Sequence, residues 1–422
     1  MDVRKYRARL IDDRVEFYLS TFGAVCIEGP KWCGKTCTSE RHAKSAFMIA
    51  DPADHFANRE LAKLDVNKAL EGTAPHLIDE WQEVPAIWDA VRYAVDQTSE
   101  SGRFLLTGSS TPRTKGIVHS GTGRIARLPM HPMSLFEHGD STGCVSLADI
   151  CAGRDIGVET VTSPTIEELA SFVICGGWPG ALGKSPRQAA LIPHEYIESV
   201  IGIDVQKIDG IDRDQTKVRK CLRSLARNES TAVSTATIRD DIAEFDDSSL
   251  GINTVTDYLN VFKRMFLTND IEPFSTFLRS PARIKQSVKR HFCDPSIAAA
   301  LLGATGKMLL RDFRTFGFLF ESLVLRDLQI YAEAMGGRLF HYQDYEGREI
   351  DAVIQQEDGG WSAFEVKLNP ALVDEAAESL KKIAVLFKHN PPVSLSVVVG
   401  KSGTAYRRPD GVYVLPITAL RP

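Results

Sequence analysis

The feature that most constrains this chain is an eight-residue loop between a buried strand and a helix. The apolar run at residues 24–28 is typical of a buried parallel strand, and residues 37–46 can begin a helix. Between them, Gly-Pro-Lys-Trp-Cys-Gly-Lys-Thr fits the spacing G-x-x-x-x-G-K-[ST]. Its backbone N–H groups can close around phosphate oxygens, while the lysine reaches the β- and γ-phosphates. An ordinary glycine-rich turn is the alternative.

This loop predicts bound ATP together with Mg²⁺. The hydroxyl of Thr36 is the expected metal ligand within it, and the dipole of the following helix favours an anion. The residues predicted to bind the nucleotide here are Gly29, Pro30, Lys31, Trp32, Cys33, Gly34, Lys35, Thr36 and Cys37.

A second motif places two carboxylates at the end of a short apolar strand. Residues 76–79 are His-Leu-Ile-Asp, and Glu80 follows directly. Asp79 is expected to hold Mg²⁺ through water, and Glu80 to orient or deprotonate the attacking water. A solvent-facing acidic pair is the alternative, which the loop upstream disfavours.

Strand and helix patterns alternate over the first 140 residues, which predicts a parallel α/β sheet. The fourth strand runs into Thr107 and Ser109, at the carboxyl edge where such sheets bind ligands. These hydroxyls can sense the γ-phosphate, or they can belong to a plain polar turn. The predicted strands are residues 24–28, 46–50, 76–79, 103–107 and 125–128.

Arg124 precedes the last of these strands. A fixed positive charge near a nucleotide can stabilise the transferring phosphoryl group, so Arg124 is a candidate arginine finger or sensor. A surface arginine is the alternative. The sequence leaves open whether Arg124 acts in its own subunit or in a neighbour's, which would require a homo-oligomer.

Composition indicates a globular protein of two to four domains, with 422 residues, 43% apolar and 25% charged. No run of eighteen apolar residues is present, and no apolar segment follows the charged N-terminus. We therefore expect a soluble, non-exported, cytoplasmic protein without membrane contact. Eight cysteines without a C-x-x-C pair are typical of reduced thiols.

The net charge of −5 gives no global sign of nucleic-acid binding, but residues 213–290 contain 14 basic and 10 acidic residues. Within predicted domain 216–300, segment 235–245 and a helix opening at Asn253 resemble a winged helix-turn-helix. Asn253, Thr254, Thr256 and Asn260 are expected to face a groove. The cations predicted to form a basic wing for phosphate contact, with a solvated charged face as the alternative, are Arg279, Arg283, Lys285, Lys289 and Arg290.

Several motifs in succession resemble the bacterial AAA-like P-loop ATPases that carry a C-terminal domain of unknown function. Besides the loop and the acidic strand, they are Leu-Thr-Gly-Ser at 106–109, Gly-Arg at 123–124, Pro-Met-Ser-Leu-Phe-Glu at 132–137, Gly-Gly-Trp-Pro at 176–179, Phe-Glu at 320–321 and Glu-Val-Lys at 365–367. The similarity covers almost the whole chain. It implies an α/β multidomain protein with an AAA-like domain at 1–137, a helical connecting region at 138–215, the winged helix and a final domain at 301–422.

The final domain is similar to the PD-(D/E)XK nuclease core. Its predicted order is helix 316–334, strands 339–342, 349–354 and 361–368, helix 371–387 and strand 395–399. Carboxylates at strand ends can gather Mg²⁺ or Mn²⁺, and residues 365 and 367 share one face of a strand. A surface ion pair at the strand end is the alternative. The candidate metal ligands are Glu321, Asp351 and Glu365, and Lys367 is expected to support the attacking water.

These expectations combine into an ATP-hydrolysing DNA-binding protein with a metal-dependent nuclease-like domain. By resemblance, branched DNA such as a Holliday junction is the expected substrate. The competing hypothesis is an ATP-gated regulatory or scaffold protein, whose nuclease-like domain is catalytically inactive and binds DNA or a protein partner.

Overall fold

The computed structural model describes residues 6–111, 119–243, 250–276 and 287–422. The chain forms two compact units, each built from several segments. The first contains residues up to Pro132 together with 202–213 and 260–267; the second contains 133–201, 214–259 and 268–422. The division into four domains remains a prediction. None of the helices in these described ranges is long and apolar enough to cross a membrane.

The first unit begins with alternating helices and strands. They are α1 (Asp12–Thr21), β1 (Ala24–Glu28), α2 (Lys35–His42), β2 (Ser45–Met48), α3 (Ala53–Leu64), β3 (His76–Asp79), α4 (Ala86–Asp96), β4 (Phe104–Gly108) and β5 (Ile125–Pro129).

The five strands form one parallel sheet in the order β2-β3-β4-β1-β5. β1 lies between β4 and β5, and all five of its residues are buried. Because both faces of the sheet are covered, the strand before the loop is an unbroken apolar run up to Glu28. The predicted parallel α/β sheet is confirmed, and the predicted strand limits agree with the observed ones within two residues.

The remaining elements follow in chain order. They are α5 (Leu135–His138), β6 (Val145–Ser146), α6 (Leu147–Cys151), β7 (Glu159–Thr160), α7 (Ile166–Cys175), α8 (Pro186–Ala189), α9 (Leu191–Ser199), a π-helical turn (Val200–Asp204), α10 (Val205–Lys207), α11 (Gln215–Arg227), α12 (Thr235–Ala243), α13 (Ile252–Arg264), α14 (Pro295–Leu301), α15 (Gly306–Leu309), α16 (Phe313–Ala334), β8 (Arg338–Gln343), β9 (Glu349–Gln355), β10 (Trp361–Lys367), α17 (Val373–Ala384), β11 (Ser394–Val399), β12 (Thr404–Arg407), β13 (Tyr413–Pro416) and β14 (Leu420–Arg421).

The second unit contains a seven-stranded mixed sheet in the order β7-β12-β13-β11-β10-β9-β8. β9 pairs antiparallel with β8 and β10, whereas β10 pairs parallel with β11 across the connecting helix α17. Its core includes Phe274, Trp361 and the apolar face of α17. The predicted order of helix, three strands, helix and strand is confirmed. The nuclease-like identity of this domain remains a prediction.

The two helices predicted for a helix-turn-helix are present as α12 and α13, and residues 244–249 between them lie outside the described ranges. On α13, Val255 is buried, and the four polar side chains expected to face a groove are exposed, namely Asn253, Thr254, Thr256 and Asn260. The predicted wing residues Arg279, Arg283 and Lys285 also lie outside the described ranges. The winged-helix assignment therefore stays a prediction.

A buried ion triad fixes α16 within the second unit. Arg326 Nη1 donates to Asp294 Oδ2 at 2.8 Å, and Arg326 Nη2 donates to Asp327 Oδ1 at 2.7 Å. Asp294 Oδ2 also accepts from the backbone N–H of Gly177 at 2.9 Å, and Asp327 Oδ2 accepts from that of Leu135 at 3.0 Å. Two motifs that carried the family resemblance, at 132–137 and 176–179, are thus attached to the helix that carries Glu321.

Candidate functional site

The phosphate-binding loop joins β1 to α2, and its two glycines are required by its shape. Gly34 precedes the helix with a φ of 108°, a left-handed conformation that favours glycine. A Cβ atom on Gly29 would lie 2.1 Å from the carbonyl oxygen of Met130. The loop can therefore form its tight turn only with glycine at these two positions.

Lys35 is buried at the first position of α2, with its ammonium held over the loop. Its Nζ donates to the carbonyl oxygens of Gly29 at 3.0 Å and Pro30 at 2.8 Å. The positive end of the α2 dipole lies at the same place. Both charges favour a phosphate group bound by this loop.

The other predicted loop residues have different surroundings. Lys31 Nζ forms an ion pair with Asp204 Oδ1 at 2.6 Å, Trp32 and Cys37 are exposed, and Cys33 is buried. These side chains supply no charge or hydroxyl toward the loop interior in this arrangement, so any phosphate contact from them comes from backbone N–H groups.

Arg9 supports the loop, although it was not among the predicted site residues. Its Nη1 donates to the carbonyl oxygen of Cys33 and its Nη2 to that of His131, both at 2.8 Å. Arg9 is buried, so these bonds form away from bulk water. An isolated arginine before the first helix has no sequence pattern that predicts this contact.

Asp79 ends β3 beside the hydroxyl of the phosphate-binding loop. Its Oδ1 accepts from Thr36 Oγ1 at 3.0 Å and from Thr107 Oγ1 at 2.6 Å. Burial raises the pKa of the Asp79 carboxyl, and the hydrogen bond from Thr107 opposes that shift. Three predicted site residues are therefore in direct contact, and Thr36 and Asp79 offer the hard oxygen ligands that Mg²⁺ prefers.

Glu80 follows in a left-handed conformation, with a φ of 57°. Its backbone N–H donates to Thr107 Oγ1 at 2.9 Å, and its Oε2 accepts from Ser109 Oγ at 2.8 Å and from Gln82 Nε2. Gln82 was not predicted as a site residue, although it lies only two residues after Glu80. The structure thus places Glu80, Thr107 and Ser109 in one hydrogen-bonded group next to Asp79.

Arg124 lies at the amino ends of the parallel strands, opposite the carboxyl ends where the phosphate-binding loop begins. β1 and β5 run parallel with Ala24 opposite Ile125, so Arg124 stands before the start of β1, whereas the loop follows its end. A five-residue strand spans about 16 Å. Arg124 Nε instead donates to Asp96 Oδ1 at 2.6 Å. The alternative that Arg124 serves the nucleotide of its own subunit is therefore wrong, and a role in a neighbour's site stays a prediction.

A second group of predicted residues converges in the other unit. The backbone N–H of Val366 on β10 donates to Asp351 Oδ2 on β9 at 2.8 Å, and Lys367 Nζ donates to Glu365 Oε2 at 2.9 Å. Lys289 Nζ connects Asp351 to Glu321 on α16. We call these side chains the carboxylate–lysine cluster; its members are Lys289, Glu321, Asp351, Glu365 and Lys367.

Lys289 corrects the basic-wing prediction. The side chain is buried, and its Nζ donates to Glu321 Oε1 and, at 3.5 Å, to Asp351 Oδ1. Arg290 Nη1 donates to Asp270 Oδ2 at 2.6 Å. Both side chains are largely shielded from solvent, so neither is presented as a solvated phosphate contact.

The charges of the cluster are mutually dependent. Burial and the Asp351 carboxylate raise the pKa of Glu321 to about 8 and also raise the pKa of Glu365. Burial alone would raise the pKa of Asp351, but the ammonium groups of Lys289 and Lys367 hold it below its ordinary value. Asp351 is therefore the carboxylate that the two lysines keep ionised.

The cluster does not fit a divalent metal ion as it is arranged. An ammonium already lies between the oxygens of Glu321 and Asp351, two of the three candidate metal ligands. Within the part of the chain that the structure describes, no three His, Cys, Asp or Glu side chains are grouped to hold a metal ion.

Family models match three segments of the chain. Residues 21–138 match an AAA domain, residues 166–308 match a domain of unknown function (DUF8612), and residues 316–420 match another domain of unknown function (DUF4143). The chain therefore contains an AAA-like P-loop ATPase domain, which confirms this part of the resemblance.

The chain is also similar to uncharacterized proteins of Mycobacterium tuberculosis and Mycobacterium bovis. Each is 24% identical over 394 residues, which cover 89% of this chain and 79% of the relative. Among solved structures, the Walker-type ATPase PABY2304 of Pyrococcus abyssi is 14% identical with a TM-score of 0.42, covering 71% of this chain and 97% of that one. The ORC1 protein of Aeropyrum pernix in complex with DNA is 10% identical with a TM-score of 0.23, covering 73% and 97%.

Proposed function

We propose that this protein is an Mg²⁺-dependent ATPase of the AAA type whose second unit binds a partner under the control of ATP. The observation that carries the ATPase proposal is the contact of Asp79 with both Thr36 and Thr107. This contact joins the phosphate-binding loop to the ends of β3 and β4, where phosphoryl transfer needs a metal ligand and a water-positioning group.

In the proposed reaction, Lys35 binds the β- and γ-phosphates, and Mg²⁺ would be held by the Thr36 hydroxyl directly and by the Asp79 carboxylate through water. Mg²⁺ supplies neutralisation of the charge on the phosphate oxygens. Glu80 orients the attacking water and accepts its proton. Ser109 and Gln82 set the direction of the Glu80 carboxylate, which supports a sensing role for the residues after β4.

ATP hydrolysis by the purified full chain tests this proposal. We expect phosphate release that requires Mg²⁺ and stops when EDTA removes it, because the metal neutralises charge that Lys35 alone does not. If the protein binds ATP but releases no phosphate, it is a nucleotide-binding protein without ATPase activity, and the ATPase assignment is overturned.

Arg124 is proposed to complete a neighbouring subunit's site, since its position excludes its own. Arg124→Ala subunits mixed with Lys35→Ala subunits, each variant inactive alone, should regain ATP hydrolysis, because the intact Arg124 of a Lys35→Ala subunit would complete the intact nucleotide site of an Arg124→Ala neighbour. Arg92→Ala is the matched control, since Arg92 also pairs with Asp96, at 2.8 Å. A mixture no more active than the two variants alone would reject the role in a neighbour's site.

DNA is the proposed partner, and α11 is the proposed contact surface. This helix contains five basic residues and no acidic residue in 13 positions. Arg219, Arg223 and Arg227 lie one turn apart and line a cavity of about 410 Å³, with Arg223 and Arg227 exposed. Glu198 holds Arg219 through two bonds of 2.7 Å, which fixes one end of the row.

Replacing these three arginines with alanine should weaken DNA binding and flatten its salt dependence. For duplex DNA, the slope of log K against log salt should become shallower by about 0.9 for every phosphate that the variant no longer neutralises. The matched control replaces Lys307, Arg311 and Arg314, three exposed cations of the same unit. An unchanged slope in the α11 variant would place the DNA-binding surface elsewhere.

Metal-dependent DNA cleavage is the second candidate function, favoured by the convergence of Glu321, Asp351, Glu365 and Lys367. Because the cluster as arranged does not fit a metal ion, binding rather than cleavage is our first proposal. Labelled duplex, single-stranded and four-way-junction DNAs, with Mg²⁺ or Mn²⁺ and with or without ATP, distinguish the two. Cleavage that disappears in Asp351→Asn and Lys367→Ala, with ATP hydrolysis unchanged, would establish the nuclease and its preference for branched DNA.

A further inference from the structure

The ammonium of Lys289 occupies the central position of the carboxylate–lysine cluster. It is buried, it contacts one oxygen of Glu321, and it lies 3.5 Å from an oxygen of Asp351. These carboxylates come from α16 and β9, so Lys289 joins a helix to the sheet.

The backbone of Lys289 is fixed as firmly as its side chain. Its N–H donates to the carbonyl oxygen of Ile271 at 2.9 Å, and its carbonyl accepts from the N–H of Ile271 at the same distance. This reciprocal pair belongs to an antiparallel bridge, and a second bridge pairs Thr268 with Phe292. The ammonium therefore belongs to a segment whose backbone is itself paired at residues 289 and 292.

A buried group of carboxylates needs a compensating cation. A divalent metal bound by both Glu321 Oε1 and Asp351 Oδ1 would compete with Lys289 Nζ, which already contacts these two oxygens. Two cations in one position repel each other, strongly so away from water.

We propose that Lys289 is a built-in cation that takes the place of a divalent metal ion in the carboxylate–lysine cluster, and that its removal creates a metal-binding site. The cluster is then a metal-independent structural and binding element in the natural chain. This inference is independent of ATP hydrolysis, because the nucleotide site uses other residues in the other unit.

Mn²⁺ titration of the nucleotide-free full chain, followed by the electron paramagnetic resonance signal of free Mn²⁺, tests the proposal. Wild type and Asp351→Asn should bind the same number of ions. Lys289→Met should bind one more ion per chain, and the double variant Lys289→Met/Asp351→Asn should lose it. Lys307→Met, which removes an exposed lysine of the same unit, should match wild type.

A second measurement uses thermal unfolding. Mn²⁺ should raise the Tm of Lys289→Met but not that of Lys289→Met/Asp351→Asn, because a bound metal would replace the missing charge. A folded Lys289→Met variant that binds no additional ion would overturn the proposal. If Lys289→Met does not fold, the test is the number of Mn²⁺ ions bound by wild type and by Asp351→Asn. Fewer bound ions in Asp351→Asn would overturn the proposal, and an equal number would support it. Phosphate release measured on the same samples reports the ATPase separately.

Discussion

Lys35→Ala is expected to abolish ATP binding and hydrolysis together, whereas Glu80→Gln is expected to retain ATP binding and lower turnover about 10²–10⁴-fold. The two variants are expected to differ because Lys35 is proposed to contact the phosphates in the ground state, while Glu80 is proposed to act on the attacking water. Glutamine preserves the size of the side chain and its hydrogen-bonding oxygen, so the neighbouring Ser109 contact can persist.

Equilibrium binding of a fluorescent ATP analogue and steady-state phosphate release measure the two effects separately. Lys44→Ala is the control, because Lys44 is an exposed lysine of the same unit. Turnover at the wild-type rate in Glu80→Gln would end the catalytic assignment of Glu80. Unchanged ATP affinity in Lys35→Ala would contradict the proposed phosphate contact.

Arg326→Leu is expected to destabilise the protein by about 3–5 kcal/mol, the cost of breaking a buried ion pair by removing one partner. The side chains of Asp294 and Asp327 are both fully buried, so each would keep a charge without its guanidinium. Arg326→Lys should be milder, since lysine keeps the charge but cannot form the same forked contacts.

The midpoint of urea unfolding, followed by circular dichroism, measures this loss. Arg311→Leu provides the comparison, since Arg311 is exposed in the same unit. A midpoint for Arg326→Leu equal to that of Arg311→Leu would show that the triad contributes nothing to stability.

The sequence predicted β1, β3, β4, β9, β10 and β11 well because these strands are mostly buried, whereas β7, β12 and β13 of the second sheet were not predicted. A mostly apolar run such as β1 indicates a buried strand without tertiary information. The Asp79 and Glu80 site followed from the same reasoning, since residues at the carboxyl ends of adjacent parallel strands meet at one edge.

The sequence also indicates the edge of the sheet at which Arg124 lies. A residue that precedes a parallel strand lies at the amino edge of the sheet, and the phosphate-binding loop follows a strand. By this rule, Arg124 and the phosphate-binding loop of the same subunit lie at opposite edges of the sheet.

Lys289 could not be assigned from the sequence. It lies 32 residues before Glu321 and 62 before Asp351, and only the folded chain brings them together. In the sequence, Lys289 lies among other basic residues that favour a solvated basic surface. Local composition does not indicate which of these lysines is buried.

The ion triad has a consequence for how the second unit folds. One family match ends at residue 308 and the next begins at 316, yet Arg326 of the later segment bonds to Asp294 of the earlier one. A polypeptide limited to residues 166–308 would hold Asp294 without a counter-ion, and one limited to 316–420 would hold Arg326 and Asp327 without Asp294 and without the Leu135 N–H. The boundary between the two family matches therefore does not separate two cooperative folding units. We expect neither segment to fold stably on its own.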